Sequence, residues 1–116
     1  MQRVKKEVCA NKVYRDGYTG KGVRIALLDT GVVPLMGLKD RIVYFKDYVN
    51  GKINAYDDNG HGTHIAGILC GGFDNNKQVI GMAPKAELLV FKILDKNGNG
   101  STKKAIKALE WIEKNH

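Results

Sequence analysis

Residues Tyr56 to Gly67 have the sequence Y-D-D-N-G-H-G-T-H-I-A-G. The stretch holds two carboxylates, two imidazoles and three glycines. It leads into an apolar run in which Ile65, Ile68 and Leu69 predict one face of a helix that begins near His61. Titratable side chains with perturbed pKa values cluster at functional sites, so this density of carboxylates and imidazoles predicts a functional role.

Three short apolar segments on either side of this stretch predict β-strands. They are residues 23–28 (V-R-I-A-L-L), 41–48 (R-I-V-Y-F-K-D-Y) and 87–94 (E-L-L-V-F-K-I-L). The first is almost continuously apolar and is bounded by glycine, which is typical of a strand buried on both faces of a parallel sheet. Strands that alternate with helices predict an α/β fold, with a three-layer, mostly parallel sheet flanked by helices.

A second helix is predicted after the Gly/Asn-rich turn at residues 95–100, with Ser101 or Thr102 as its cap. Its apolar spacing predicts a buried side made of Ala105, Ile106, Leu109, Trp111 and Ile112. The chain of 116 residues is then divided into an N-terminal arm, residues 1–19, and one α/β unit, residues 20–116.

Asp29 directly follows the first predicted strand. Ligands and catalytic groups gather at the carboxyl ends of parallel strands, so this carboxylate stands where chemistry is done. A carboxylate that accepts an imidazole N–H fixes the tautomer and leaves the other nitrogen to act as a general base. The pattern alone therefore allows an Asp29–His61 pair, and it equally allows an aspartate-initiated turn and a histidine at a helix start.

Two motifs resemble those of the subtilisin-like serine proteases. Residues 23–31 (V-R-I-A-L-L-D-T-G) resemble the aspartate motif of that family, and residues 59–67 (N-G-H-G-T-H-I-A-G) resemble its histidine motif. Residues 81–88 are similar to the turn and strand that follow. The resemblance implies that Asp29 is the acid of a catalytic triad, that His61 is its base, and that His64 is a structural neighbour.

The resemblance also implies a substrate-binding strip at the end of the third strand. Gly98, Asn99 and Gly100 correspond to backbone that pairs with an extended peptide, which is a case of β-augmentation. Leu94 corresponds to a residue that lines a nearby subsite. A polypeptide is therefore the expected substrate.

The chain departs from the family in one respect that decides its expected activity. The family's nucleophile lies in a downstream Gly-Thr-Ser motif, preceded by an oxyanion-hole asparagine, and the chain has neither. Its one serine, Ser101, stands in the turn before the last helix. We therefore expect a serine endopeptidase by family, represented by the amino-terminal part of a catalytic domain that is inactive alone.

Members of this family often bind structural calcium. Here Gly37 stands where the family commonly has an aspartate ligand, which weakens the expectation of a site there. Asp74, Asn75 and Asn76 offer oxygen ligands in a later loop and are weak candidates. No cofactor is expected to be required.

Two other interpretations remain open. In a metal-binding module, His61 and His64 would share a helix face, with Asp57 or Asp58 adding oxygen, although the glutamate of metallohydrolase helices is absent. In a non-catalytic fragment, the chain would bind peptide without cutting it or complement the remaining half of a peptidase domain. An uncovered sheet edge would also favour oligomerisation.

The net charge of +7 raises the question of nucleic acid. The basic residues are mixed with acidic ones or lie along one side of the last helix, so a solvated basic face is expected and nucleic-acid binding is not. No apolar run follows the N-terminus, so we expect no signal peptide and no membrane partner. These expectations favour a cytoplasmic, bacterial-type intracellular location, with secretion after propeptide removal as the alternative.

Overall fold

The computed structural model describes residues 2–72 and 81–115. Their helices and strands, in chain order, are α1 (Gln2–Glu7), α2 (Ala10–Arg15), β1 (Arg24–Asp29), β2 (Ile42–Asp47), α3 (His61–Cys70), β3 (Glu87–Lys92) and α4 (Thr102–Asn115). The three predicted strands and both longer helices are present. The N-terminal arm forms two short helices.

The three strands form one parallel sheet in the order β1-β3-β2. Lys92, the last residue of β3, is in register with Asp29 at the end of β1 and with Asp47 at the end of β2. The carboxyl ends of all three strands therefore lie at one level. The predicted α/β fold with a parallel sheet is confirmed, and the strand that ends at Asp29 opens onto this common edge.

The two long helices pack on opposite faces of β3. Leu88 and Val90 belong to a core cluster that includes residues of α3. Leu89 and Phe91 belong to a second cluster, together with Ala108 of α4. Because successive side chains of a strand point to opposite faces, this alternation separates the two clusters and produces three layers.

The predicted buried side of α4 is only partly right. Ala108 is fully buried against the sheet, and Trp111 is half-buried, with its ring stacked on Tyr44 at a centroid distance of 4.2 Å. Ile106 and Leu109 were predicted to be buried and are 48% and 56% exposed. The apolar stripe of α4 is wider than its contact with the sheet, so periodicity alone could not select the covered part.

Candidate active site

Asp29 and His61 are in direct contact. His61 Nδ1 lies 2.9 Å from Asp29 Oδ1 and 3.0 Å from Oδ2. An ionised carboxylate can only accept a hydrogen bond, so the proton of this bond belongs to Nδ1. The Asp29 side chain is 9% exposed and the His61 side chain is 61% exposed. The buried carboxylate thus orients an imidazole whose other nitrogen, Nε2, is available to a reacting group.

Two glycines allow the end of β1 to lie against the start of α3. Gly31 has a φ of 113°, and a β-carbon there would clash with the carbonyl oxygen of Tyr56. A β-carbon on Gly62 would clash with the carbonyl oxygen of Gly31. These glycines belong to the two motifs that carry Asp29 and His61. The motifs therefore specify a close backbone approach as well as the two titratable side chains.

Lys92 is a buried cation beside this pair and was not predicted from the sequence. It is 0% exposed, and its Nζ donates to Thr30 O at 2.6 Å, Asp58 Oδ1 at 2.7 Å and Leu94 O at 2.8 Å. Lysine is almost never fully buried unless it is paired. The signal that could have identified it is a lysine inside the apolar segment at residues 87–94, close to the strand end where Asp29 was placed.

Asp57 accepts hydrogen bonds within the loop that leads to α3. Burial alone would raise the pKa of its carboxyl. The backbone N–H groups of Gly60, Thr63 and Asn59, with the Thr63 hydroxyl, outweigh burial and lower the pKa of Asp57 to about 2. The Asp57 carboxylate is therefore ionised, and hydrogen bonds from the protein occupy its acceptor sites.

The predicted substrate strip lies next to Asp29. The carbonyl oxygen of Asp29 accepts the N–H groups of Ile93 and Leu94 at 3.0 and 3.2 Å. Leu94 then forms an antiparallel bridge with Gly100, and Asp95 N donates to Asn99 O at 2.8 Å.

Gly98 supplies the positive φ of 80° that this turn needs. In a bridge whose hydrogen bond joins residues 95 and 99, the paired Gly100 directs its own N–H and C=O away from Leu94. Gly98, Asn99 and Gly100 are all exposed. The Gly98 N–H donates to Asp95 O at 2.9 Å and the Asn99 N–H donates to Asp95 Oδ1 at 3.0 Å, so the turn itself uses these groups. The outward N–H and C=O of Gly100 are the groups that an incoming chain could meet.

His64 lies apart from the Asp29–His61 pair. It is exposed and lines an apolar groove of about 380 Å³ together with Leu35, Met36 and Ile68. Within residues 2–72 and 81–115, no group of three or more His, Cys, Asp or Glu side chains could hold a metal ion. The calcium candidates Asp74, Asn75 and Asn76 lie outside the described residues.

None of the helices in the part of the chain that the structure describes is both long enough and apolar enough to cross a membrane.

Comparison with known proteins identifies the family of the chain. The sequence profile of the subtilase family, peptidase family S8, matches residues 20–116. Serine protease AprX of Bacillus subtilis (strain 168) is 46% identical over 105 residues, which cover 88% of this chain and 24% of that protein. Subtilisin Savinase of Lederbergia lenta is 39% identical over 108 residues, which cover 93% of this chain and 39% of that protein.

A solved structure gives the same result at the level of the fold. The crystal structure of a cold-adapted subtilisin-like serine proteinase superimposes with a TM-score of 0.71 and 30% identity. The match covers 84% of this chain and 34% of the solved one. The chain therefore spans well under half the length of the proteins that it matches. With a family match over residues 20–116 and these similarities in sequence and fold, the chain belongs to the subtilase family.

Proposed function

We propose that this chain supplies the acid and the base of a serine endopeptidase active site, with Asp29 as the acid and His61 as the base. The observation that carries the proposal is the contact of His61 Nδ1 with both carboxylate oxygens of Asp29 at 2.9 and 3.0 Å. The relatives named serine protease AprX and subtilisin Savinase support the reaction class.

In this mechanism, the Nδ1–H bond to Asp29 holds the imidazole in the tautomer that leaves Nε2 unprotonated. Nε2 takes the proton of an attacking serine hydroxyl and later gives it to the leaving amine. Asp29 stabilises the imidazolium that forms between these steps and stays ionised throughout. The burial of Asp29 and the exposure of His61 suit these two roles.

The same proposal makes the chain inactive by itself. Acyl transfer needs a nucleophile within hydrogen-bond reach of the base, and donors for the oxyanion. Ser101, the one serine of the chain, accepts the backbone N–H of Lys104 at 3.3 Å at the start of α4. That contact gives it the role of a helix cap. The nucleophile must then come from a segment that the relatives have beyond the matched region.

The substrate in this proposal is an extended polypeptide. It would lie along Gly98, Asn99 and Gly100 and pair as an added strand with the backbone groups that the turn does not use, among them the N–H and C=O of Gly100. Leu94 would contact a side chain of the bound peptide. Because Leu94 N is hydrogen-bonded to Asp29 O, a peptide on this strip would run close to the base. Peptide binding without cleavage is the second candidate function, and the open strip favours it.

The expected partner is the remainder of a subtilase domain. Among the described residues, β1 pairs only with β3, so its other edge is free to accept a further strand. Ile106 and Leu109 also present apolar surface on α4. Bound calcium, oligomerisation through the sheet edge and a cytoplasmic location remain predictions, as does the absence of nucleic-acid and membrane partners.

The experiment compares the purified chain with a fusion in which the following segment of serine protease AprX is joined to it in frame. The chain alone is expected to cleave no peptide, and the fusion is expected to cleave peptides with sensitivity to a serine-reactive inhibitor. Inhibitor-sensitive cleavage by the chain alone would contradict the proposed inactivity. A fusion that is folded, labels with the inhibitor and yet depends on neither Asp29 nor His61 would contradict the assigned roles.

A further inference from the structure

The carboxylate of Asp57 joins the two elements that carry the proposed acid and base. Its Oδ1 accepts the Thr30 hydroxyl at 2.8 Å, immediately after the end of β1. Its Oδ2 accepts the backbone N–H and the hydroxyl of Thr63 at 2.9 and 2.6 Å, in the first turn of α3. One side chain thus holds a strand end and a helix start together.

Thr30 connects Asp57 to Asp29 and to Gly62, the residue that follows His61. Its hydroxyl donates to Asp57 and accepts the backbone N–H of Gly62 at 3.0 Å, while its own N–H donates to Asp29 Oδ1 at 2.7 Å. Thr30 is 1% exposed, so water does not compete for these bonds. Gly62 follows His61 directly, so the network reaches the backbone of the base and the carboxylate of the acid.

Asp57 also fixes the path of the chain into α3. Oδ1 accepts the backbone N–H groups of Asn59 and Gly60 at 3.0 and 2.9 Å. All groups that face the carboxylate are donors, and an ionised carboxylate supplies only acceptors. A carboxamide at this position would turn an NH₂ group towards N–H and O–H donors, so asparagine cannot reproduce the network. Asp58, the neighbouring residue, is held separately by Lys92 at 2.7 Å.

We propose that Asp57 is a positioning residue that sets the geometry between His61 Nδ1 and Asp29 through Thr30 and Thr63. The inference rests on the proposed function, in which His61 is the base. It makes Asp57 act through other residues, since its carboxylate is bonded to Thr30, Thr63 and the loop backbone rather than to the imidazole. Positioning of this kind matters because a displacement of about 1 Å from productive geometry can cost roughly 100-fold in rate.

The test is the tautomer of His61, measured on the purified chain by ¹⁵N NMR of its ring nitrogens at alkaline pH. A neutral imidazole in water favours the proton on Nε2, whereas the contact with Asp29 requires it on Nδ1. The wild-type chain is expected to show the Nδ1–H form. In Asp57→Asn, the ratio of Nδ1–H to Nε2–H is expected to fall about tenfold. The exposed His64 is an internal reference for an imidazole in water and should keep the Nε2–H form in every variant.

A second pair of variants keeps the test independent of one substitution. Thr30→Val removes the hydroxyl that connects Asp57 to Gly62 and should produce the same fall, while Thr30→Ser should recover the Nδ1–H form. Asp40→Asn, an exposed carboxyl on another loop, is the control for loss of one negative charge. An unchanged tautomer ratio in folded Asp57→Asn and Thr30→Val would overturn the inference, and so would unfolding of both variants.

The wild-type spectrum separates this inference from the proposed function. If wild-type His61 already has its proton on Nε2, the Asp29–His61 pair itself is wrong, and the inference fails with it. If the wild type shows Nδ1–H and the variants retain it, the pair stands and only the role of Asp57 is overturned.

Discussion

Gly31 and Gly62 lie in contact through their backbones, with no room for a β-carbon on Gly62 against the carbonyl oxygen of Gly31. Each glycine follows a member of the Asp29–His61 pair: Asp29 is two positions before Gly31, and His61 is one position before Gly62. The separation of Asp29 and His61 is therefore built into the backbone. Substitutions at these glycines should move the site as well as lower stability.

Gly62→Ala is expected to destabilise the chain by about 1–3 kcal/mol, because the added methyl group must displace the backbone of Gly31, two residues after the end of β1. Gly67→Ala is the matched control in the same helix, since a β-carbon there meets nothing within 4 Å. Relief of the glycine penalty should make the control more stable by roughly 0.5–1 kcal/mol. Urea unfolding of both variants measures the difference, and equal effects would contradict the close approach.

Lys92→Met is expected to cost about 2–3 kcal/mol. The substitution removes the donor of two carbonyl oxygens, the buried one of Thr30 and the partly buried one of Leu94. Asp58, whose side chain is 35% exposed, can return to water. Lys96→Met, on the exposed turn that follows, should change stability by no more than about 0.5 kcal/mol. The denaturant midpoints of both variants measure these changes in stability. An unchanged midpoint in Lys92→Met would show that the hydrogen bonds of Lys92 contribute no stability.

Asp57 should make the stability of the chain depend on pH in the acid range. Hydrogen bonds lower its pKa in the folded chain to about 2, against about 3.9 in an unfolded chain. Its contribution is therefore complete above pH 4 and is lost as the pH falls towards 2, and it amounts to about 1–2 kcal/mol after allowance for partial exposure.

Free energies of unfolding measured from pH 6 to pH 2 should fall more steeply for the wild type than for Asp57→Asn. The pKa of Asp47 is also lowered, because hydrogen bonds from Tyr56 and backbone N–H groups outweigh its burial. The stability of both proteins should therefore keep some dependence on pH. The difference between the two curves isolates Asp57. Parallel curves over this range would contradict its lowered pKa.

Much of the fold could be predicted because the apolar segments of the sequence have distinct periods. The strand that ends at Asp29 is a short apolar run between glycines, and the helix that begins at His61 has a clear start. The contact between the two side chains could be proposed only because the motifs are specific. Spacing alone does not show which loops meet in space.

The features that could not be predicted from the sequence depend on tertiary packing. Lys92 is charged, and nothing local in the sequence shows that its Nζ turns inward to three oxygens. For Asp57, the sequence predicts no more than a candidate metal ligand, because one of its hydrogen-bond partners, Thr30, is distant in sequence and follows β1. For Leu109, helical spacing identified an apolar residue but could not show how far the sheet reaches around the helix.

Two histidines of α3, three residues apart, allow the most direct test of whether His61, held by Asp29, is the base of a serine endopeptidase. The measurement is kcat/KM for peptide cleavage by the fusion with the AprX segment, compared with its His61→Ala and His64→Ala variants. We expect a loss of roughly 10⁴-fold or more for His61→Ala and a change within a few-fold for His64→Ala. Comparable losses in both variants, or full activity of His61→Ala, would contradict this role of His61.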